Sequence, residues 1–226
     1  MLESKRILVF ASHTDDEIIG PGGTIARLSS NGAEIVVVTF TGGETSYQKG
    51  QRPEEMLRQR KQEAQLCDRV LGISRRIMLG KPTQGVTNDR ETYQECVGII
   101  RQVRPEAIFT HYREDKHRDH RAVSEITDEA RWKASENVLG DMGAPWYTPH
   151  LYYYEVLELF THPSIVVDIT DTLERKLEAM RTQASQMAVL PGIMEYLEGL
   201  AKVRGYMRGT RYGEAFLEST LLPTLL

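Results

Sequence analysis

Ile7-Leu-Val-Phe-Ala11, Gly20-Pro-Gly-Gly23 running into Thr24-Ile-Ala-Arg-Leu-Ser-Ser30, and Glu34-Ile-Val-Val-Val-Thr-Phe40 follow one another near the start of the chain. The first and last are short apolar runs, the last rich in β-branched residues, as strands covered on both faces read. Between them a Gly-rich turn leads into a short helix that Asn31-Gly32 stops. Strand, helix and strand in this order predict a parallel pair joined by a crossover helix.

The same alternation extends along the chain. Pro53-Glu-Glu55 opens a long helix reaching Leu71-Gly72, with Pro in the first turn and acids near the positive end of the dipole. Arg76-Ile-Met-Leu79 reads as a third strand, and Tyr93, Val97, Ile100 and Val103 mark a helix that Pro105 ends. Ala107-Ile-Phe-Thr110 is the fourth strand, followed by a polar loop from Tyr112 to Arg118 and a helix on which Val123, Ile126 and Ala130 share a face. Gly140 to Pro149 reads as loop; His150-Leu-Tyr-Tyr-Tyr-Glu-Val156 and Ile165-Val-Val-Asp168 read as strands. Tyr152-Tyr-Tyr154 is then a strand with alternating faces rather than a platform for stacking sugars. Leu173, Leu177, Met180 and Ala184 define a helix capped by Thr170 or Asp168, and a last helix lies between Ile193 and Tyr206. The expectation is a single α/β domain over residues 1–226, Rossmann-like and three-layered, with a mostly parallel sheet. Such folds place their site at the carboxyl ends of the strands, where strand order reverses.

Composition narrows the partners. Hydrophobic residues make up 40% and charged residues 27% of 226, an ordinary globular balance. The net charge is −4 and the basic residues are dispersed, which argues against nucleic acid. No apolar run approaches the roughly 20 residues that cross a bilayer, and the start of the chain lacks the pattern of a signal peptide. A cytoplasmic location is expected, with Cys67 and Cys96 reduced and buried rather than bridged.

Two segments carry the chemistry, each just past a strand: Ala11-Ser-His13-Thr-Asp15-Asp16-Glu17 and His111-Tyr-Arg-Glu-Asp115-Lys-His117-Arg-Asp119-His120. They hold four of the six histidines. Imidazole and carboxylate suit zinc, whose catalytic sites use three protein ligands plus water. His13 and Asp16 sit three apart on a tight turn and can face one point; His117 or His120 would supply a third ligand. Zinc lowers the pKa of its water to about 7. Asp15 is then free as general base, and the remaining histidine can stabilise an oxyanion or protonate an amine, with Asp119 orienting it. His111 reads either as a further site residue or as a strand-end histidine accepting a backbone hydrogen bond.

His13-Thr-Asp15-Asp16-Glu17, with Gly20-x-Gly22-Gly23-Thr24, resembles the His-Pro-Asp-Asp-Glu signature of the PIG-L/LmbE-like deacetylases. His117-Arg-Asp119-His120 resembles that family's His-Pro-Asp-His motif. Arg60-x-x-Glu63 with Leu71-Gly72, Ser185-Gln186, and Tyr212-Gly-Glu214-Ala-Phe216 extend the likeness over most of the chain. The resemblance implies an α/β zinc enzyme that removes the acetyl group from a small N-acetylglucosamine-type sugar or conjugate, often as a homo-oligomer such as a hexamer. Transferred position by position, it implies zinc on His13, Asp16 and His120, Asp15 as base, His117 as acid or oxyanion stabiliser, and Asp119 as partner of His117. Three departures stand out: Thr14 and Arg118 replace prolines, and Thr83 in Lys81-Pro-Thr83-Gln-Gly85 replaces an acid of a Pro-Asp-Gly turn that helps hold substrate. Arg60, Arg118 and Arg131 are candidate substrate-binding residues.

Other functions compete. Two histidines and a carboxylate also describe non-haem Fe(II) oxygenases, although those favour β-barrel scaffolds, and Fe2+ could replace Zn2+ in a hydrolase. A non-catalytic sugar or nucleotide-sugar binding module would have no use for Asp15, His117 and Asp119 beside the ligands. Gly20-x-Gly22-Gly23 lacks the last glycine of the dinucleotide fingerprint and begins nine residues after Ala11, so it reads as a turn that lets a helix pack closely.

Overall fold

The hub of the molecule is β1 (Arg6–Ala11), which pairs in parallel with β2 (Glu34–Thr41) on one edge and with β4 (Ala107–His111) on the other. The structure, a computed structural model, describes residues 1, 3–46, 50 and 52–222. Outside β2 lies β3 (Arg75–Lys81), and outside β4 lies β5 (His150–Tyr154), both parallel. The far edge is built by β6 (Ile165–Asp168) and β7 (Gly213–Glu218), in the order β3-β2-β1-β4-β5-β7-β6. Only β7 runs against its neighbours, so the sheet is mostly parallel as expected. Strand order reverses between β1 and β4, the position where such sheets open a crevice.

Alternation along the strands fills both layers. Ile7, Val9, Ile35 and Val37 pack beneath α2 (Gly22–Ser30), α3 (Pro53–Leu71), α6 (Leu173–Arg181) and α8 (Ile193–Tyr206). Leu8, Phe10, Val36 and Val38 face α4 (Arg90–Val103) and α5 (Arg118–Ser135) on the opposite side. Tyr152 and Tyr154 point to the first layer and Tyr153 to the second, as a strand requires. Cys67 and Cys96 are free, buried, and on opposite faces of the sheet, which rules out their pairing. Among the described residues no helix is long and apolar enough to cross a membrane.

Four elements depart from the sequence reading. β7 was not expected; its three apolar residues gain a partner only by inserting between β5 and β6. The four-residue helices α1 (Asp16–Ile19) and α7 (Ala184–Met187) are too short to show a period. α6 starts at Leu173 after Thr172, not after Asp168 or Thr170, which instead hydrogen-bond each other.

The Gly-rich turn works by close approach. A Cβ on Gly20 would come within 2.4 Å of Tyr154 Cδ2, and one on Gly23 within 2.8 Å of Ile169 Cδ1. The exposed amides of α2 do not wait for a phosphate. Gly23 and Thr24 N–H each donate at 2.7 Å to the Glu214 carboxylate, which also receives the Lys176 ammonium at 2.6 Å. A carboxylate of the chain's own β7 therefore occupies the position where dinucleotide folds bind pyrophosphate.

Arg101 of α4 fastens the opposite layer. It is 3% exposed, has no carboxylate partner among the described residues, and donates to the main-chain carbonyls of Lys133, Ala134, Glu136, Val138, Leu139 and Gly143. Two of these lie in the last turn of α5, the negative end of its dipole.

Candidate functional site

β1 ends at Ala11, and the next five residues turn sharply so that Asp15 caps α1 and Asp16 begins it. The turn is tied by the His13 N–H, which donates to Asp16 Oδ2 at 2.7 Å. β4 ends at His111, and the following loop enters α5 through His117, whose Nδ1 accepts the Asp119 N–H at 3.2 Å and caps the helix. Two adjacent strands thus aim both motifs at one point.

At that point Asp16 Oδ2 lies 3.2 Å from His13 Nδ1, and Asp16 Oδ1 lies 3.4 Å from His120 Nε2. Donor atoms of His13, Asp16 and His120 all fall within 4.8 Å of one another, and so do those of His13, His117 and Asp119. Zinc bonds of about 2.0–2.2 Å at the tetrahedral angle place neighbouring donors roughly 3.3–3.6 Å apart, so the His13–Asp16–His120 spacing fits such an ion. Burial opposes the charge of Asp16, yet the imidazoles around it, His120 foremost, hold its pKa well below the usual carboxylate range. Burial alone would lower the pKa of both His13 and His120. The carboxylates outweigh it, taking His13 to about 10 through Asp16 and Asp119, and His120 to about 9 through Asp16 and Asp115.

Without metal these two nitrogens therefore hold protons at neutral pH, and an ion must displace them. Uptake of a divalent ion at these histidines should release protons and tighten as pH rises toward 9–10. Chelator competition between pH 6 and 8 should show this slope, and a flat affinity would remove His13 and His120 from the ligand set.

Asp115 belongs to the second motif, and the sequence alone assigns it no role. Its Oδ1 lies 3.1 Å from His120 Nδ1 and accepts the His117 N–H at 2.8 Å, while Oδ2 accepts the N–H groups of Leu157 and Glu158. Burial opposes its charge, but His120 holds its pKa down at about 2. A carboxylate on Nδ1 turns Nε2 of His120 toward Asp16, the arrangement that orients metal-binding imidazoles. Only the crowding of acids after a strand hinted at it. His111 takes the backbone role: its Nε2 accepts the Ser12 N–H at 2.9 Å. Burial and the stacked ring of His120, 4.0 Å away, push its pKa down to about 4, so it stands neutral behind the site.

Asp15 is 6% exposed and faces Arg60, whose Nη2 lies 3.1 Å from Asp15 Oδ1 while Nε donates to Thr14 Oγ1 at 2.9 Å. Arg60 is not a surface partner of Glu63, which instead accepts from Ser185. Room for the guanidinium depends on Gly43, at φ +71, where a Cβ would come within 2.6 Å of Arg60 Cζ. Thr14, at the variant position, is used through its hydroxyl.

The pairing expected between Asp119 and His117 differs in detail. The Asp119 carboxylate turns to His13, with Oδ2 3.2 Å from Nε2, and accepts the N–H groups of Gln84 and Val86; only its backbone N–H meets His117. Helix geometry explains this, because a residue two places after the cap projects across the helix start rather than back at the capping side chain. The remaining arginines separate. Arg131 is buried, donates to the carbonyls of Thr148 and Pro149, and is not among the residues lining the cleft. Arg118 is exposed and is not among the residues lining the cleft. Thr83 lines the cleft and donates through N and Oγ1 to Glu44, so an acid stands beside the position where the motif lacks one.

Residues 8–131, more than half of the chain, match the family described as PIG-L: GlcNAc-PI de-N-acetylase. The chain belongs to the PIG-L family. Among PIG-L relatives, the diacetylchitobiose deacetylase of Thermococcus kodakarensis is 30% identical, covering 93% of this chain and 81% of that protein. A 1D-myo-inositol 2-acetamido-2-deoxy-alpha-D-glucopyranoside deacetylase of Rhodococcus jostii is 26% identical over 86% of each. A 4-oxalmesaconate hydratase of Pseudomonas putida is also 26% identical, covering 89% of this chain and 80% of its own. In structure, the N,N'-diacetylchitobiose deacetylase of Pyrococcus horikoshii superposes with a TM-score of 0.88 at 27% identity, covering 98% of this chain and 87% of that one.

Proposed function

We propose that this PIG-L protein is a zinc-dependent hydrolase that removes the acetyl group from a small N-acetylglucosamine-type sugar. The observation that carries the reading is the buried His13–Asp16–His120 set with an unliganded carboxylate, Asp15, on the same turn. Zinc held by the three would supply Lewis acidity to a water and to the acetyl carbonyl.

The chain's own residues do the rest. Asp15, kept in place by Arg60, accepts the proton of the attacking water and delivers it to the amine nitrogen as the C–N bond breaks. His117 lies beside His13, with ring centroids 4.8 Å apart, and burial lowers its pKa, so it is neutral at pH 7. Because its Nδ1 accepts the Asp119 N–H, its proton sits on Nε2. A neutral Nε2–H donor suits a developing oxyanion better than immediate delivery of a proton to the amine. Arg60, Thr83, Gln84 and Gln186 give the cleft the polar edge that sugar hydroxyls need.

The test is release of free amine from N-acetylglucosamine and diacetylchitobiose by the zinc-loaded protein. Release supports the reading. No release, together with hydration of an unsaturated tricarboxylate as the hydratase relative's name suggests, would replace it. His117→Ala should keep its metal and lose about 10²–10³ in kcat, the share of one oxyanion donor. An unchanged rate would leave that role to another group.

A further inference from the structure

Glu63 lies one turn beyond Arg60 on α3, the helix whose Arg60 faces Asp15. It is 4% exposed and, among the described residues, is held by neutral donors rather than by a cation. Its Oε1 accepts the Ser185 N–H and the Gln59 amide, each at 2.9 Å, and its Oε2 accepts the Ser185 hydroxyl at 2.5 Å. The main-chain carbonyl of Glu63 receives the Gln183 amide at 3.1 Å. A buried carboxylate is costly unless hydrogen bonds satisfy it, and here most of those bonds are directed at the start of α7.

What this docking controls lies one residue on. Gln186 lines the metal cleft, and its Nε2 donates to Ser185 Oγ at 3.1 Å. Chemistry fixes the direction of each bond in the series. A carboxylate only accepts, so the Ser185 proton points at Glu63. A hydroxyl has a single proton, so Ser185 Oγ can only accept from Gln186, whose carboxamide must turn its NH2 inward. The carbonyl oxygen of that side chain is then the atom left to face the cleft. The main chain of Gln186 is held as well: its N–H donates to the Gln183 carbonyl, and its carbonyl accepts from Val189 and Leu190.

We infer that Glu63 and Ser185 are positioning residues that set the polarity of the cleft, making Gln186 a hydrogen-bond acceptor that selects a substrate hydroxyl able to donate. This inference rests on the deacetylase reading for its substrate but not for the relay of bonds. Glu63→Gln should reverse the relay. A carboxamide at that position keeps the Ser185 N–H on its oxygen and offers its NH2 to Ser185 Oγ. The Ser185 proton then turns to Gln186, which must flip and present NH2 to the cleft. A sugar hydroxyl can answer an acceptor or a donor, whereas fluorine in its place has no proton to give.

The experiment measures kcat/KM of the zinc-loaded protein on N-acetylglucosamine and on its 3-, 4- and 6-deoxyfluoro analogues. In the native protein one analogue should fall about 10-fold below the parent sugar, the magnitude of one neutral hydrogen bond. That penalty should vanish in Glu63→Gln and in Gln186→Leu, and shrink in Ser185→Ala, where the carboxamide is free to turn. A Glu63 that merely held α7 in place would depress every sugar alike and leave the ratio at its native value. An unchanged ratio in Glu63→Gln, or in Ser185→Ala if the first variant does not fold, therefore overturns the relay while the deacetylase reading stands. If no amine is released, the deacetylase reading falls and the same ratio is read from calorimetric Kd values for the four sugars. Absence of any fluorine penalty in the native protein, by whichever measure applies, overturns the inference.

Discussion

Asp15→Asn should keep its metal and lose about 10²–10⁴ in kcat, the contribution of a positioned general base. The change is nearly isosteric, so the turn that sets His13 and Asp16 should survive, and the backbone carbonyl of residue 15 still accepts from Ile18 and Ile19. What disappears is a carboxylate able to take a proton beside the three ligands. Arg60 loses its charged neighbour but keeps its bonds to Thr14 and Ser46, so the variant should fold with a modest drop in Tm. Turnover on whichever sugar the native protein cleaves and zinc content per chain are the two readouts. Loss of zinc would move Asp15 into the ligand set, and full activity would take the role of base from it.

Arg101→Met should lower stability by about 3 kcal/mol, as removal of a buried charge from its hydrogen-bonded partners does. Methionine fills the space of the stem, so the loss isolates the guanidinium and its six carbonyl acceptors. In a chain of this size that corresponds to a Tm lower by roughly 6–12 °C. Arg101→Lys should recover little, because an ammonium has three donors on a point charge where the guanidinium has five in a planar fork. Thermal unfolding followed by circular dichroism decides it: a shift under about 2 °C would mean that water satisfies those carbonyls as well as the arginine does.

How much could be read in advance depended on how local each cause was. β1 to β5 were legible because each is an apolar run bounded by its own turn signals, and a parallel sheet needs little else. β7 was not, because Gly213–Glu218 is strand only by virtue of partners in two distant segments, Tyr152–Tyr154 and Ile165–Asp168. His13 and Asp16 were legible as a pair because they share one tight turn at a strand end; the residues alone left His117 or His120 open beside them, and only the family resemblance singled out His120. Asp115 was hidden among Glu114, Lys116 and Arg118, and what turns it inward is His120 and the amides of Leu157 and Glu158. Arg60 and Arg131 looked alike on paper, each a helical arginine. One points at Asp15 and the other at two carbonyls, a difference set by which layer each helix covers.

The insertion of β7 also has a consequence in time. Among the described residues β6 has no sheet neighbour except β7, and the outer edge of β5 is covered by β7 alone. A nascent chain therefore makes β5 and β6 long before the strand that joins them exists, and until Glu214 arrives the amides of Gly23 and Thr24 and the ammonium of Lys176 lack their shared acceptor. The half of the molecule built on β1 to β4 can settle during elongation. The other half must wait until residues 213–218 have been made and released. An appendage or truncation near residues 213–218 should consequently do its harm during biosynthesis, as aggregation of chains with open strand edges, before any effect on the finished protein could be measured.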